Sequence, residues 1–203
     1  MTVVRLSNGD LFLHSPIKFD QRLANELQAQ GRPVTTCRQP ISLRSYRRVG
    51  EGLSRRITWA SPRVRQRARA RRTAIEFARD LGPTPPEEWG EIDQTFFPGG
   101  YFKEYIFFHR GSKALIITDT IINLELDKIA EPWRTATKLT GMYHPHGQIF
   151  FGMRLPLLLQ RRKAKAALRK IHSWQPDRIL LSHGRCFDTR ADEVIRRIFW
   201  RAP

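Results

Sequence analysis

Apolar and polar positions divide Glu104–Thr120, EYIFFHRGSKALIITDT, into two short strands, Tyr105–His109 and Ala114–Thr118, joined by Arg-Gly-Ser-Lys. A four-residue connection containing glycine between aromatic and β-branched runs predicts a β-hairpin. The second run is apolar throughout, which fits a strand buried on both faces. It delivers Asp119 to the rim of that sheet, where a carboxylate needs an ion pair, hydrogen bonds or a metal. With His109 opposite Ala114, Glu104 falls opposite Asp119 at the open end. His109 then lies about five residues, or roughly 17 Å, from Asp119. Glu104 and Asp119 are therefore the pair to examine, and His109 belongs to the turn.

The same reading extends along the chain. Val3–Leu6 and Leu11–His14 flank Ser-Asn-Gly-Asp, a second hairpin. Phe19, Leu23 and Leu27, with Ala24 beside them, recur at helical spacing until Gly31. Pro33–Thr36 opens a strand. Arg63–Arg72 reads as a basic helix, and Glu91–Phe97 leads into the central hairpin. The segment after Ile121–Leu126 runs past Trp133 to a turn at Tyr143–Gly147. Arg161–His172 is a basic amphipathic helix with Ala164, Leu168 and Ile171 apolar. Arg178–Ser182 (RILLS) is a buried strand ending on His183-Gly184, and Asp188–Trp200 is a final helix with Val194, Ile195 and Ile198 on one side. Within the apolar run Ile149–Leu159, Phe150, Phe151 and Leu155–Leu159, followed by Arg161, Arg162 and Lys163, read as core followed by surface. The minority reading is a patch for a membrane surface or a partner.

One segment breaks the pattern. Cys37–Ile57, CRQPISLRSYRRVGEGLSRRI, has neither strand alternation nor a helical stripe. Residues 36–72 hold twelve arginines against one acid, Glu51, and so supply +11 of the formal net charge of +17. A nucleic-acid footprint spread over a groove would distribute its charge more widely. The remaining composition is that of a globular chain: 203 residues, 40% hydrophobic and 10% aromatic, enough for one domain over 1–203. Two cysteines, Cys37 and Cys186, carry no zinc-ribbon spacing and suggest a reducing compartment. The first residues lack the apolar core of a signal peptide, and no run is long enough to span a bilayer. The expected location is the cytoplasm.

Two strand ends thus carry ligating side chains: Asp119 after LIIT and His183 after ILLS. This half of the chain resembles the second half of a metallo-beta-lactamase-fold hydrolase. LFLHSPI, WASP, FFHRGSKALIITD and ILLSHG are similar to an uncharacterised bacterial family described as a domain of unknown function near that fold. The resemblance covers residues 3–34 and 58–200. It implies an α/β architecture, an αββα sandwich of two mixed sheets with outer helices. It also implies that Asp119 corresponds to the metal-bridging carboxylate and His183 to the last metal histidine. A carboxylate with a neutral imidazole suits zinc or another divalent metal, which would generate a hydroxide nucleophile from bound water. Glu104 is the third candidate ligand through the hairpin register.

The resemblance also exposes a departure. The superfamily's first ligand cluster, His-x-His-x-Asp-His, belongs near residues 37–50, yet no histidine stands between His14 and His109. Two ligands fall short of the three that a catalytic zinc site uses, so low metal occupancy is expected. His144 and His146 lie in a turn, where exposure is the ordinary outcome. Read one nucleotide later with permitted codons, Thr36–Ile57 becomes HVVSPSRFAHIGVWAKAFPDA. That string has an apolar strand, a Ser-Pro turn, a histidine and an amphipathic helix, and shifted reading of GC-rich codons accounts for the arginine excess.

Each candidate has a plainer role. Asp119 suits a cap for the next segment, Glu104 a solvent-facing strand position, and His14 and His109 packing or turn positions. Ser182 lacks a nucleophile elbow. Two functions stay open. One is a metallo-hydrolase-like protein acting on an unknown small-molecule substrate, degenerate or weakly active, with Asp119 and His183 as its catalytic and metal residues and Glu104 as a further ligand. The other is a non-catalytic protein that contacts nucleic acid or an acidic partner through the arginine-rich segment.

Overall fold

The computed structural model of the chain describes residues 1–15, 21–38, 58–60, 79–99 and 104–199. These group into two units, Met1–Glu91 and Ile92–Pro203. The expected helix Arg63–Arg72 and most of the arginine-rich segment lie outside the described residues.

The first unit is built on a five-stranded sheet in the order β1 (Thr2–Arg5), β2 (Asp10–His14), β3 (Arg32–Arg38), β4 (Thr58–Ala60) and β5 (Arg79–Asp80). β1 and β2 form the expected antiparallel hairpin, with Thr2 opposite His14 and Arg5 opposite Leu11. The turn closes because Asn8 accepts from the Asp10 amide at 2.9 Å and Gly9 takes a positive φ of 81°. β3 then runs parallel to β2, β4 parallel to β3, and β5 parallel to β4. A parallel neighbour cannot follow from a tight turn, so a crossover is needed. Helix α1 (Gln21–Gln30) is the crossover from β2 to β3, and its Leu27 packs on Leu11 and Leu13. β2 is buried at all five positions. Phe12 meets Trp89 edge-on at 5.1 Å between ring centroids. His14 is fully buried, and desolvation lowers its pKa to about 3.

In the second unit a four-stranded sheet runs in the order β11 (Arg178–Leu181), β8 (Ala114–Ile117), β7 (Glu104–His109), β6 (Ile92–Phe97). β6, β7 and β8 form an antiparallel meander, and β11 joins β8 in parallel. His109 pairs with Ala114, as the hairpin pattern requires. All four residues of β8 are buried, as a strand paired on both edges and covered on both faces should be. Ile106 and Phe108 of β7, with Leu115 and Ile117 of β8, join a core completed by two helices. Helix α4 (Arg161–Ser173) contributes Ala164, Ala167 and Ile171, and helix α5 (Ala191–Phe199) contributes Ala191, Ile195, Ile198 and Phe199. A short pair, β9 (Ile121–Ile122) and β10 (Gln148–Ile149), and helices α2 (Trp133–Thr140) and α3 (Arg154–Leu159) fill the connections.

Three sequence readings change in detail. α5 begins at Ala191 rather than Asp188, because Arg190 takes a left-handed φ of 57° that cannot continue a helix backwards. β11 is buried at Ile179 and Leu181, partly buried at Leu180 and exposed at Arg178, so its burial is incomplete. In the run Ile149–Leu159, Met153 and Leu157 point inward while Phe151, Leu155, Leu158 and Leu159 are exposed. The run therefore ends β10 and continues through a 3-10 turn into the short helix α3, with an apolar outer side where core was the expectation.

Candidate functional site

The site forms where β8 and β11, parallel neighbours, end side by side. The chain after β8 turns through Thr118, Asp119 and Thr120, and the chain after β11 through Ser182, His183 and Gly184. The Ser182 amide still donates to the Ile117 carbonyl of β8 at 3.2 Å, but beyond it the segments have left the ladder and their shape depends on what else bonds to them.

For the first segment that partner is Glu104. Its side chain is fully buried at the start of β7, and its two carboxylate oxygens take five hydrogen bonds. Oε1 accepts from the Thr118 amide at 2.5 Å and the Thr118 hydroxyl at 2.8 Å. Oε2 accepts from the Asp119 amide at 3.0 Å, the Thr120 amide at 2.8 Å and the Thr120 hydroxyl at 2.6 Å. Burial pushes the Glu104 pKa up, and the Asp119 charge adds to this. The Thr120 hydroxyl and the Thr118 amide and hydroxyl pull it back. Five donors are the partner set of an ionised carboxylate. They also use the lone pairs that a metal would need. The register that placed Glu104 opposite Asp119 is therefore met by a different contact from the one expected. Glu104 grips the Asp119 backbone and shapes the turn, buried where a solvent-facing strand position was the plainer expectation.

The second segment is held by Asn123, which the sequence reading did not single out. Asn123 is fully buried. Its amide donates to the His183 carbonyl at 3.0 Å, its carbonyl accepts from the Arg185 amide at 2.8 Å, and Nδ2 donates to the Arg185 carbonyl at 2.7 Å. This clamp needs Gly184. The residue sits at a φ of 95°, and a Cβ there would fall 1.9 Å from the Asn123 carbonyl oxygen. The usable sequence signal was the glycine after His183, which marks close approach of another backbone.

These two frames bring Asp119 and His183 together: His183 Nε2 lies 2.9 Å from Asp119 Oδ1. Asp119 is nearly buried, and the imidazole is 49% exposed. The hydrogen bond to Asp119 raises the His183 pKa, and burial opposes it. The Nε2–Oδ1 contact can hold and move a proton or anchor a polar group at the sheet end.

The other histidines are engaged elsewhere. His109 Nδ1 meets the Ser112 hydroxyl at 2.8 Å and accepts from the Ser112 amide at 3.3 Å, a turn role as anticipated. His144 Nδ1 faces Asn123 Nδ2 at 3.4 Å, His146 stacks edge-on with Tyr143, and His172 Nδ1 bonds to Asp192. Among the described residues, no three His, Cys, Asp or Glu side chains converge on a point where a cation could sit. Asp119 and His183 supply two donors, and Glu104 has none to give. Among the described residues the donor set therefore falls short of the three ligands that a catalytic zinc centre uses.

The chain has a metallo-beta-lactamase-like α/β fold, with helices and mixed sheets, and the likeness extends over nearly its full length. Solved structures that share it include the DIM-1 metallo-beta-lactamase exposed to ceftazidime (15% identity, 99% of this chain and 84% of that one, TM-score 0.63). FIM-1 from Pseudomonas aeruginosa in its mono-zinc form matches at 10% identity over 98% of this chain and 81% of its own, with a TM-score of 0.64. The apo chemotaxis sensor ODP from T. denticola matches at 11% identity over 94% and 81%, with a TM-score of 0.63. Identities this low establish a common fold. No family model and no curated protein matches the sequence.

Proposed function

We infer that this protein is a degenerate metallo-hydrolase-like member of its fold, one that keeps the strand-end Asp119–His183 pair but not a complete metal centre. The observation that carries this reading is the direct bond from His183 Nε2 to Asp119 Oδ1 at 2.9 Å, with Glu104 saturated behind it. In a metal site both atoms would point at the cation. Here each satisfies the other. The strand ends form a small polar seat that suits a small-molecule ligand, and hydrolysis at such a seat would be weak. Three of the similar solved structures are named as metallo-beta-lactamases, and zinc is the divalent metal to test. Protein purified from zinc-supplemented medium should contain less than about 0.2 equivalents of zinc. Stoichiometric zinc that is lost in Asp119→Ala or His183→Ala would overturn the reading.

A second reading rests on the twelve arginines between residues 36 and 72. It is a non-catalytic protein that binds nucleic acid or an acidic partner. Nucleic-acid binding of this kind should weaken steeply between 50 and 200 mM salt, on the order of a thousandfold for several phosphate contacts. Binding that ignores salt would count against it.

A further inference from the structure

We propose that the segment around helix α3 is a docking surface for an anionic membrane. Leu155 is 65% exposed, Leu158 51%, Leu159 77% and Phe151, just ahead of the helix, 57%. Met153 and Leu157 turn inward and fix the segment to the core. The exposed side chains sit at i, i+4, i+7 and i+8, one outward stripe along the segment. Exposed apolar side chains grouped in this way mark a contact surface.

Charge identifies the contact. Residues 132–176 contain nine Lys or Arg and no Asp or Glu. The cations bracket the apolar stripe: Arg154 opens α3, and Arg161, Arg162, Lys163 and Lys165 follow it, all solvent-exposed. Gln160 breaks the helix with φ −112° and ψ 28°, so the leucines and the following cations belong to separate helices. Apolar side chains that enter the acyl boundary, flanked by cations at headgroup level, are the arrangement of an interfacial anchor. Three of the four projecting side chains are leucines, which offer a nucleic acid neither a stacking face nor a hydrogen bond. A protein interface tends to exclude lysine from its centre, and the acid-free flanks suit lipid phosphate better. The same stretch holds Trp133, 71% exposed, a residue type that favours the bilayer interface. The described residues include no helix long and apolar enough to cross a membrane, so the protein would lie on the surface.

The test is co-sedimentation of the full chain with vesicles of phosphatidylcholine alone and of phosphatidylcholine with 30% phosphatidylglycerol. Binding should require the anionic lipid. The triple variant Leu155→Ser, Leu158→Ser, Leu159→Ser keeps every charge, the arginine-rich segment included, and changes only exposed side chains. Its partitioning should fall more than tenfold, while circular dichroism and the unfolding midpoint stay unchanged. Equal binding by the triple variant and the parent protein would overturn the proposal, because charge alone would then explain the attachment. Failure of the parent protein to bind either vesicle would also overturn it. So would a parent dimer that the triple variant converts to monomer without any vesicle binding, which would assign the stripe to a second copy of the chain.

Discussion

Replacing Glu104 with glutamine isolates the interaction that shapes the Asp119 turn. The side chain keeps its size but exchanges one acceptor oxygen for an NH2 donor. If the NH2 faces Thr118, the Thr118 hydroxyl can rotate to accept, but the Thr118 amide is left without an acceptor. If it faces the other way, both the Asp119 and Thr120 amides are stranded. The better orientation orphans one buried N–H, which costs about 1–3 kcal/mol. The remaining amide bonds lose the strengthening that a charge gives them, roughly 0.5–1 kcal/mol each. Against this, glutamine avoids the cost of burying a charge, the effect that raises the Glu104 pKa. The donor count decides the balance, so the net loss should be about 2–4 kcal/mol. Urea denaturation followed by tryptophan fluorescence measures it. Thr118→Val and Thr120→Val should each show coupling to Glu104→Gln in double-mutant cycles. A Glu104→Gln protein within 0.5 kcal/mol of the parent would refute the reasoning, since it would mean the carboxyl is held protonated and the turn does not depend on its charge.

Other expectations follow from the same geometry. His14 is neutral in the folded protein down to about pH 3, whereas an unfolded histidine takes up its proton near 6.5. Stability should therefore fall as pH drops through that window, by about 1.4 kcal/mol per unit and roughly 3 kcal/mol between pH 7 and 4.5. The slope attributable to His14 should vanish in His14→Gln, and an unaltered pH slope would contradict the assignment. Gly184→Ala forces a methyl onto the Asn123 carbonyl at a left-handed backbone position. It should cost more than about 2 kcal/mol in a thermal melt, and a smaller loss would mean that the Asn123 clamp yields easily. Resequencing the gene across codons 30 to 60 should return the reading frame that restores a strand and a histidine. Confirmation of the arginine-rich frame would end that explanation.

The local pattern revealed the parts of this fold that depend on strand register. Hydrophobic runs around Arg-Gly-Ser-Lys placed His109 opposite Ala114, and the same count put Glu104 at the Asp119 turn. The consequence was harder to read, because one carboxylate spacing serves equally for a ligand and for a backbone staple. Only the five donors separate them. Asn123 escaped notice because its role is a contact with residues about sixty positions away, and no periodicity signals that. α2 and α3 were missed for another reason. Both are one or two turns long, and Pro156 inside α3 reads as a break although its position in the first turn leaves no hydrogen bond to lose. The apolar outer side of α3 violates the rule that such residues face inward, and violations of that kind are where function is to be sought.

The central claim is that His183 Nε2 is committed to Asp119 rather than to a metal. Its most direct test is the 15N spectrum of the imidazole side chains, recorded before and after one equivalent of zinc is added to the full chain. Nε2 should be protonated, with a resonance that does not move with zinc and changes in Asp119→Asn. Loss of that proton with a zinc-dependent shift at stoichiometric metal would contradict it and place a metal centre at the strand ends.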